Sequence, residues 1–579
     1  MLAQRYRWKS KQLRTHVSVL DGDVFPTLVL KNARFLHSVL KKWMTANIWI
    51  YQDRIIYVGD QMPKKVSGEI MDCEPYTLVP GYIEPHVHPF QLYNPQTLAE
   101  YAAQTGTTTV INDNLMLFLL LEKKKAFSLL NELKDIPATM YWWCRFDSQT
   151  ELVDEENIFS NSEVKSWLEH EAVIQGGELT GWPKLLNGDD MMLHWIQEAK
   201  RLRKKVEGHF PGASEKTLTK MTLLGVDADH EALNGEDVYK RLMQGYMVSL
   251  RNSSIRPDLE VLLKDMKEMG IDQYDMMMFN TDGSTPSFYE KGVLDWMIQK
   301  AIEHEIPVID AYHMASYNVA KYYGIDHLHG VIAPGRVANI NFLKDEMNPS
   351  PVAVLSKGQW VRKESQEIKQ NISIQWGNFG MGPLHLDWEL TADDLQFSMP
   401  FGIKLMNSVI TKPYSIEKDI TVEDLGNHDD ESFLVLLDRH GKWRINSTIK
   451  GFATNVQGLA SSFSNTGDII LIGKCKKEMK HAFDRLKEIG GGIVLCEKNE
   501  VIHEIPLHVA GLMSDKPMVE LIEEEKKMKE LIMGRGFRFS DPIYTLLFLS
   551  STHLPYIRIT PKGMYDVMKK TILFPTIMR

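Results

Sequence analysis

From Thr77 to Gly283 the chain alternates short apolar runs with longer charged stretches whose apolar residues recur at helical spacing. The runs are 77–88 (TLVPGYIEPHVH), 107–114 (TTTVINDN), 138–146 (ATMYWWCRF), 172–181 (AVIQGGELTG), 204–212 (KKVEGHFPG), 225–231 (GVDADHE), 245–251 (GYMVSLR) and 274–283 (YDMMMFNTDG). Between them lie helix-patterned segments such as Pro95 to Gln104 and Leu119 to Lys134. Strands separated by helices must pair in parallel, because a tight turn cannot return the chain in the same direction. Eight such units over roughly 250 residues are the count and size of a closed (β/α)8 barrel of the TIM type. The region 289–323, with Val293, Trp296, Met297 and Ile302 at helical spacing, reads as the closing helices.

The flanks read differently. Runs 27–36 (TLVLKNARFL), 47–52 (NIWIYQ) and 54–59 (RIIYVG) predict a small antiparallel sheet. After the barrel, GVIAPGRVANINFLKD (330–345) returns to short β-runs across a Pro334-Gly335 turn and is placed to rejoin that sheet. The expected organisation is therefore α/β. Residues 1–75 and 331–370 form a small β-sandwich, 76–330 form the barrel, and 371–579 form a C-terminal α+β domain. That last domain mixes strands (SFLVLLD, DIILIG, GGIVLC) with helices such as Lys476 to Glu488. A chain of 579 residues exceeds one ordinary core, which agrees with several domains.

Composition narrows the partners. Lys plus Arg number 66 against 76 Asp plus Glu, a net charge of −10, which argues against nucleic acid because phosphate neutralisation needs basic surface. The longest apolar run, Leu115 to Leu121, is far below the roughly 20 residues of a membrane span. The N-terminus lacks the apolar core of a signal peptide. Cys73, Cys144, Cys475 and Cys496 are scattered with no C-x-x-C pair, so neither a disulfide framework nor a thiolate zinc site is suggested. A cytoplasmic protein acting on a small molecule, as a monomer or homo-oligomer, is the expectation.

The chemistry lies at the strand ends. His86 and His88 close the first run two residues apart, which puts both imidazoles on one face of a strand. Glu178 ends the fourth run, His209 the fifth, His230 the sixth and Asp282 the eighth. Side chains at the carboxyl ends of barrel strands converge on one mouth. Four histidines and two carboxylates there suit two divalent ions of the borderline class, with Glu178 free to bridge. Such a pair lowers the pKa of water from about 15.7 towards 7 and polarises the group attacked. A lone strand histidine is usually a hydrogen-bonded core residue, and it is the set that points to metal-assisted hydrolysis. His327-Leu328-His329 has the same spacing without a partner carboxylate and is assigned to packing or surface. Gly490-Gly491-Gly492 follows a helix and reads as its C-terminal cap and turn rather than a phosphate cradle. Met276-Met277-Met278 is assigned to barrel core.

PGYIEPHVH, TGTTTV, GGELTGWP, VEGHFPGAS, DADHE and TDG resemble the successive strand-end motifs of the adenine deaminase family of the amidohydrolase superfamily. APGRVANI resembles the return into the family's β-sandwich. KGFATNVQGLASSF, GGGIVL, AGLMSD, DPIYTLLFLS and ITPKGMYDV resemble its C-terminal domain, so the likeness runs over nearly the whole chain. The resemblance implies a two-metal aminohydrolase of purine salvage, with manganese or iron ahead of zinc. His86, His88 and Asp282 would hold one ion, His209 and His230 the other, and Glu178 would bridge. Asp282 would take the proton from the attacking water, Glu231 would shuttle a proton, and Asp113, Arg251 and Ser253 would contact the substrate. Water would add to C6 of adenine, and ammonia and hypoxanthine would leave.

Two stretches depart from the family pattern. Asp113-Asn114-Leu115-Met116 stands where relatives carry Asp-Pro-His-Glu, and Ser464-Asn465-Thr466-Gly467-Asp468 stands where they carry His-Asp-Ser-His-Asn. They leave open a related aminopurine or other heterocycle as substrate. A non-enzymatic binding or regulatory homologue is the rival from another class; its expected mark is damaged ligands, and none of the six is damaged.

Overall fold

A computed structural model describes residues 7–369, 372–427 and 429–579. Eight parallel strands form one sheet in chain order: Tyr82–Val87, Thr107–Asp113, Thr139–Cys144, Val173–Leu179, Lys205–Gly208, Ala228–Asp229, Met247–Arg251 and Met277–Asn280. Each falls inside one of the eight runs. The last strand returns to the first, where buried Glu84 accepts from the backbone N–H groups of His86 (3.0 Å) and Thr281 (3.1 Å) and ties the two together. Helices lie between consecutive strands, and Leu294–Glu303, Val308–Met314 and Tyr317–Tyr323 close the ring.

The run 77–88 is two strands and not one. Thr77–Pro80 pairs antiparallel with Ile340–Leu343, Val79 opposite Asn341, and parallel with Leu28–His37, so it belongs to the outer sheet. The chain enters the barrel only after Gly81. Continuous apolar patterning hides this break, because both strands are buried on both faces. The outer sheet has nine strands drawn from 28–80 and 340–367, so the post-barrel segment does rejoin the N-terminal one. Its core is a separate cluster that includes Leu30, Phe35, Ile48, Ile55, Leu78, Ile340, Phe342 and Leu355. The helix Ser10–Asp21 precedes this sheet. The sequence gives little notice of it, since only His16 and Val19 of its residues are buried.

The helical segment expected over 119–134 is a short helix, Leu115–Leu120, followed by Lys123–Glu132. Of the Met276–Met278 run, Met277 and Met278 are buried core while Met276 is half-buried. His329 is buried against Tyr141 and Asn339, and His327 is exposed. Gly490 caps the helix Lys476–Ile489 with φ +76°, a conformation that favours glycine.

Beyond 372 a second nine-stranded sheet contains Glu431–Leu437, Ile469–Gly473 and Gly492–Glu497, with the helix Lys476–Ile489 packed on it. This domain docks on the barrel mouth. Met513–Ser514 pairs in parallel with Leu92–Tyr93, Thr150 Oγ1 donates to the Ser550 carbonyl at 2.6 Å, and Tyr544 OH donates to the Gly283 carbonyl at 3.0 Å. All three barrel partners lie beyond strand ends, so the C-terminal domain roofs the site. No helix among the described residues is long and apolar enough to cross a membrane.

Candidate active site and metal centre

The structure brings His86, His88, Glu178, His209, His230 and Asp282 together at the carboxyl ends of the barrel strands. Within each of three groups, His86/His230/Asp282, His86/His88/Glu178 and Glu178/His209/His230, ligand-type atoms lie within 4.8 Å of one another. His86 Nε2 and His88 Nε2 stand 3.3 and 3.2 Å from Asp282 Oδ1. Glu178 spans the two halves: Oε2 lies 3.7 Å from His88 Nε2, and Oε1 lies 2.7 Å from His209 Nδ1 and 3.5 Å from His230 Nε2.

A second layer of carboxylates aims these imidazoles. Glu207 meets His86 Nδ1 at 2.9 Å with one oxygen and His230 Nδ1 at 3.2 Å with the other, and Asp113 meets His88 Nδ1 at 2.8 Å. Holding Nδ1–H this way leaves Nε2 of all three rings as a lone pair facing the centre, the usual arrangement behind metal-bound histidine. Burial by itself would raise these carboxyls. The facing groups outweigh it and hold Glu207 at about 2 through His86 and His230, which donate to it, and Asp113 at about 2 through the Arg145 guanidinium and the hydrogen bond from His88. Glu84 lacks comparable support, and burial pushes it up to about 8 against the hydrogen bonds it accepts.

Arg145, at the end of the third strand, is fully buried. It donates to both Asp113 oxygens, at 2.9 and 2.6 Å, and its Nη2 stands 2.9 Å from Glu178 Oε2. Burial by itself would lower the Glu178 side chain's charge; Arg145 and His209 outweigh it and keep that carboxyl well below its ordinary range.

Backbone strain fixes Asp282. Its φ is +53°, a left-handed conformation that aspartate tolerates better than most residues, and Gly283 follows at +61°. A Cβ on Gly283 would lie 2.2 Å from the His88 amide nitrogen. The Asp-Gly pair thus lets the eighth-strand loop press against the first strand, which brings Asp282 to His86 and His88.

Three other residues singled out from the sequence are engaged within the protein. Asp113 has both oxygens occupied by Arg145, His88 and the Leu115 N–H, so it serves His88 and Arg145 and has little left for a substrate. Glu231 is ion-paired with Arg251 through one oxygen and with Arg256 through the other, and against burial these guanidiniums, with His209, hold it at about 2. Two cations on one carboxylate suit it to anchoring Arg251, and they oppose the protonation that a proton shuttle needs. Ser253 Oγ accepts from Arg251 Nε at 3.2 Å, behind the guanidinium and outside the pocket lining. Arg251 itself lines the pocket, 3.1 Å from Asp282 Oδ2.

The cavity above the cluster encloses about 300 Å³. His88, Glu178, His209 and Asp282 form its floor. Leu115 and Met116 lie in its wall, and Asn465, Tyr544, Phe548 and His553 enter from the C-terminal domain. Leu115 and Met116 of the 113–116 stretch and Asn465 of the 464–468 stretch therefore face this space. Sequence reasoning missed Glu207, Arg145 and the C-terminal contributors. Glu207 carried a usable signal, since it stands two residues before His209 in the fifth run, as Glu84 does before His86 in the first.

The donor set fits divalent ions. His86 Nε2 is fully buried without the geometry of a hydrogen bond to any partner, and His209 Nδ1 and His230 Nε2 converge to 3.2 Å. A buried lone pair and crowded nitrogens gain from a shared cation.

Two family models match the chain. The amidohydrolase family matches residues 77–361, and the adenine deaminase C-terminal domain matches residues 407–571. A protein of Halalkalibacterium halodurans named "Putative adenine deaminase" is 59% identical over 581 residues, covering 100% of both chains. One of Bacillus subtilis with the same description is 54% identical over 580 residues, again covering 100% of each. A protein of Thermosipho africanus named "Adenine deaminase" is 27% identical over 577 residues, 96% of this chain and 98% of that one.

Proposed function

The chain belongs to the adenine deaminase family of amidohydrolases, and from that premise we propose that it hydrolyses adenine to hypoxanthine and ammonia at the barrel mouth. The observation that carries this reading is the convergence of six metal-type side chains from five strand ends beneath one roofed cavity. His86, His88 and Asp282 would hold one divalent ion, His209 and His230 a second, with Glu178 between them. Ions bound there would acidify water and polarise the carbon under attack.

The protein's own residues do the rest. Glu207 and Asp113 keep the Nε2 atoms of His86, His230 and His88 directed inward. Asp282 reaches the floor of the cavity with one oxygen beside both histidines, and it is the group suited to take the proton of the attacking water. Arg251, fixed by Glu231 and Ser253, braces the other Asp282 oxygen. Oxygen adds to C6 and the C6–N bond of the exocyclic amine breaks. One water proton ends on the ring nitrogen and the other on the departing ammonia. The roof formed by the C-terminal domain covers the cavity in which these transfers occur.

The test combines metal analysis with an ammonia-release assay on adenine. The expected result is metal-dependent formation of hypoxanthine and ammonia in equal amounts. Metal-replete protein that releases no ammonia from adenine, or protein fully active after exhaustive chelation, would overturn the proposal.

A further inference from the structure

Polar side chains around the cavity fall into two sets. Those from the strand ends are engaged with one another: Asp113 with His88 and Arg145, and Glu231 with Arg251 and Arg256. Three others are not. Gln91, just past the first strand, is 6% exposed, and its Oε1 is buried without a hydrogen-bond partner. Asn465 is 5% exposed, and its Nδ2 is in the same condition. His553 is half-buried with Nδ1 unpartnered, its ring edge-on to His209 at a centroid distance of 5.6 Å. All three line the cavity that holds His88 and His209.

Leaving a buried polar group unpaired costs about 1–3 kcal/mol, and such groups in a native structure call for a ligand or a functional reason. A local structural role does not account for Asn465. Its loop is built by Ser464 Oγ donating to the Asp468 carbonyl at 2.7 Å and Thr466 Oγ1 donating to Asp468 Oδ2 at 2.6 Å, neither of which uses the Asn465 amide.

We propose that Gln91, Asn465 and His553 read the ring edge of the substrate, so that two of its three recognition groups come from the C-terminal domain. This rests on the reading of the cavity as a deaminase site. A primary amide offers N–H donors beside a carbonyl acceptor, which matches an uncharged edge where a bare ring nitrogen neighbours an N–H. The substrate is a free base and not a nucleotide: of the cavity's two lining arginines, Arg251 is paired with Glu231 and Asp282 and Arg256 with Glu231 and Asp258, so a phosphate would meet no unpaired cation. Asn465 and His553 also explain why the roof is part of the site. Without it the metal floor could still activate water, but the ring above it would not be oriented.

The test compares wild type with Gln91→Leu, Asn465→Leu and Asn465→Asp, using adenine and deaza analogues that each lack one ring nitrogen. Wild type should disfavour at least one analogue by about 5- to 150-fold in kcat/KM. The leucine variants should lose activity on adenine by a similar factor, mainly through KM, while the disfavoured analogue is unaffected and metal content stays unchanged. Asn465→Asp, which keeps only acceptors, should lose selectivity against one analogue alone. Equal losses on adenine and every analogue would overturn the proposal. If wild type releases no ammonia from adenine, the functional reading falls, and calorimetric binding of the same compounds decides the recognition proposal. Collapse of selectivity in Kd supports it; unchanged selectivity, or no binding, overturns it.

Discussion

Arg145 Nη2 stands 2.9 Å from Glu178 Oε2 while the same nitrogen holds Asp113 at 2.6 Å, with all three side chains almost wholly buried. One guanidinium therefore fixes both the carboxylate between the two halves of the centre and the carboxylate that aims His88. Removing one partner of a buried ionic network leaves uncompensated charge at a cost of about 3–5 kcal/mol. Arg145→Leu should lower Tm and reduce bound metal together. Arg145→Lys should rescue little, because an ammonium lacks the planar fork that serves two carboxylates at once. Thermal melts and metal analysis of the two variants check this; an Arg145→Leu protein with normal Tm and metal content would remove Arg145 from the centre.

About two divalent ions per chain are expected, and chelation should abolish ammonia release reversibly. Glu178→Gln should retain less metal and lose activity, since an amide cannot offer an anionic oxygen to each half. His86→Ala and Asp282→Ala should abolish turnover while circular dichroism stays close to wild type, because barrel packing does not depend on these side chains. Near-normal turnover in Glu178→Gln would exclude it as the bridge.

The six ligand-type residues were legible because strand geometry forces them together: alternation puts His86 and His88 on one face, and the barrel gathers strand ends. Arg145 was not legible. Its importance comes from reaching sideways to Asp113 on the second strand and Glu178 on the fourth, and spacing along a single strand carries no such information. The same limit hid the roof, where Tyr544 meets Gly283 across 261 residues of sequence. The break at Gly81 was hidden for another reason, since strands buried in two different sheets share one apolar pattern.

The C-terminus provides a pH-dependent contact far from the metal centre. Burial raises the Asp394 carboxyl, but the Arg579 guanidinium, with Nε at 2.7 Å and Nη2 at 2.8 Å, and the hydrogen bonds from Thr391 outweigh it and hold it at about 2. A depressed carboxyl stabilises the fold above its unfolded value near 4 and loses that contribution as pH falls through its folded value. Asp394→Asn should therefore cost on the order of 1–2 kcal/mol at neutral pH, and the gap from wild type should close between about pH 4 and 2. Paired melts across that range test it, and a gap that does not change with pH would show that the ion pair contributes nothing.

Leu115 and Met116 set the remaining term in specificity. They are 3% and 6% exposed and lie in the cavity wall, which they make apolar. A polar pair there would hydrogen-bond the ring and reject mismatched analogues by roughly 10⁴–10⁵-fold, whereas an apolar wall discriminates by shape alone, about 10- to 200-fold. This site should accordingly accept several 6-amino heterocycles, ranked by fit against Leu115 and Met116. Met116→Ala should improve kcat/KM for adenines bearing an added methyl group relative to adenine itself, by no more than about 200-fold. Leu115→His with Met116→Glu should not sharpen selectivity unless the new groups find partners, since an unpaired polar group in this wall costs about 1–3 kcal/mol. The deciding measurement is kcat/KM for adenine against other aminopurines and aminopterins. If adenine reaches about 10⁵ M⁻¹s⁻¹ or more with every competitor slower by four orders of magnitude, the apolar wall plays no part in substrate choice and the polar groups of the roof suffice.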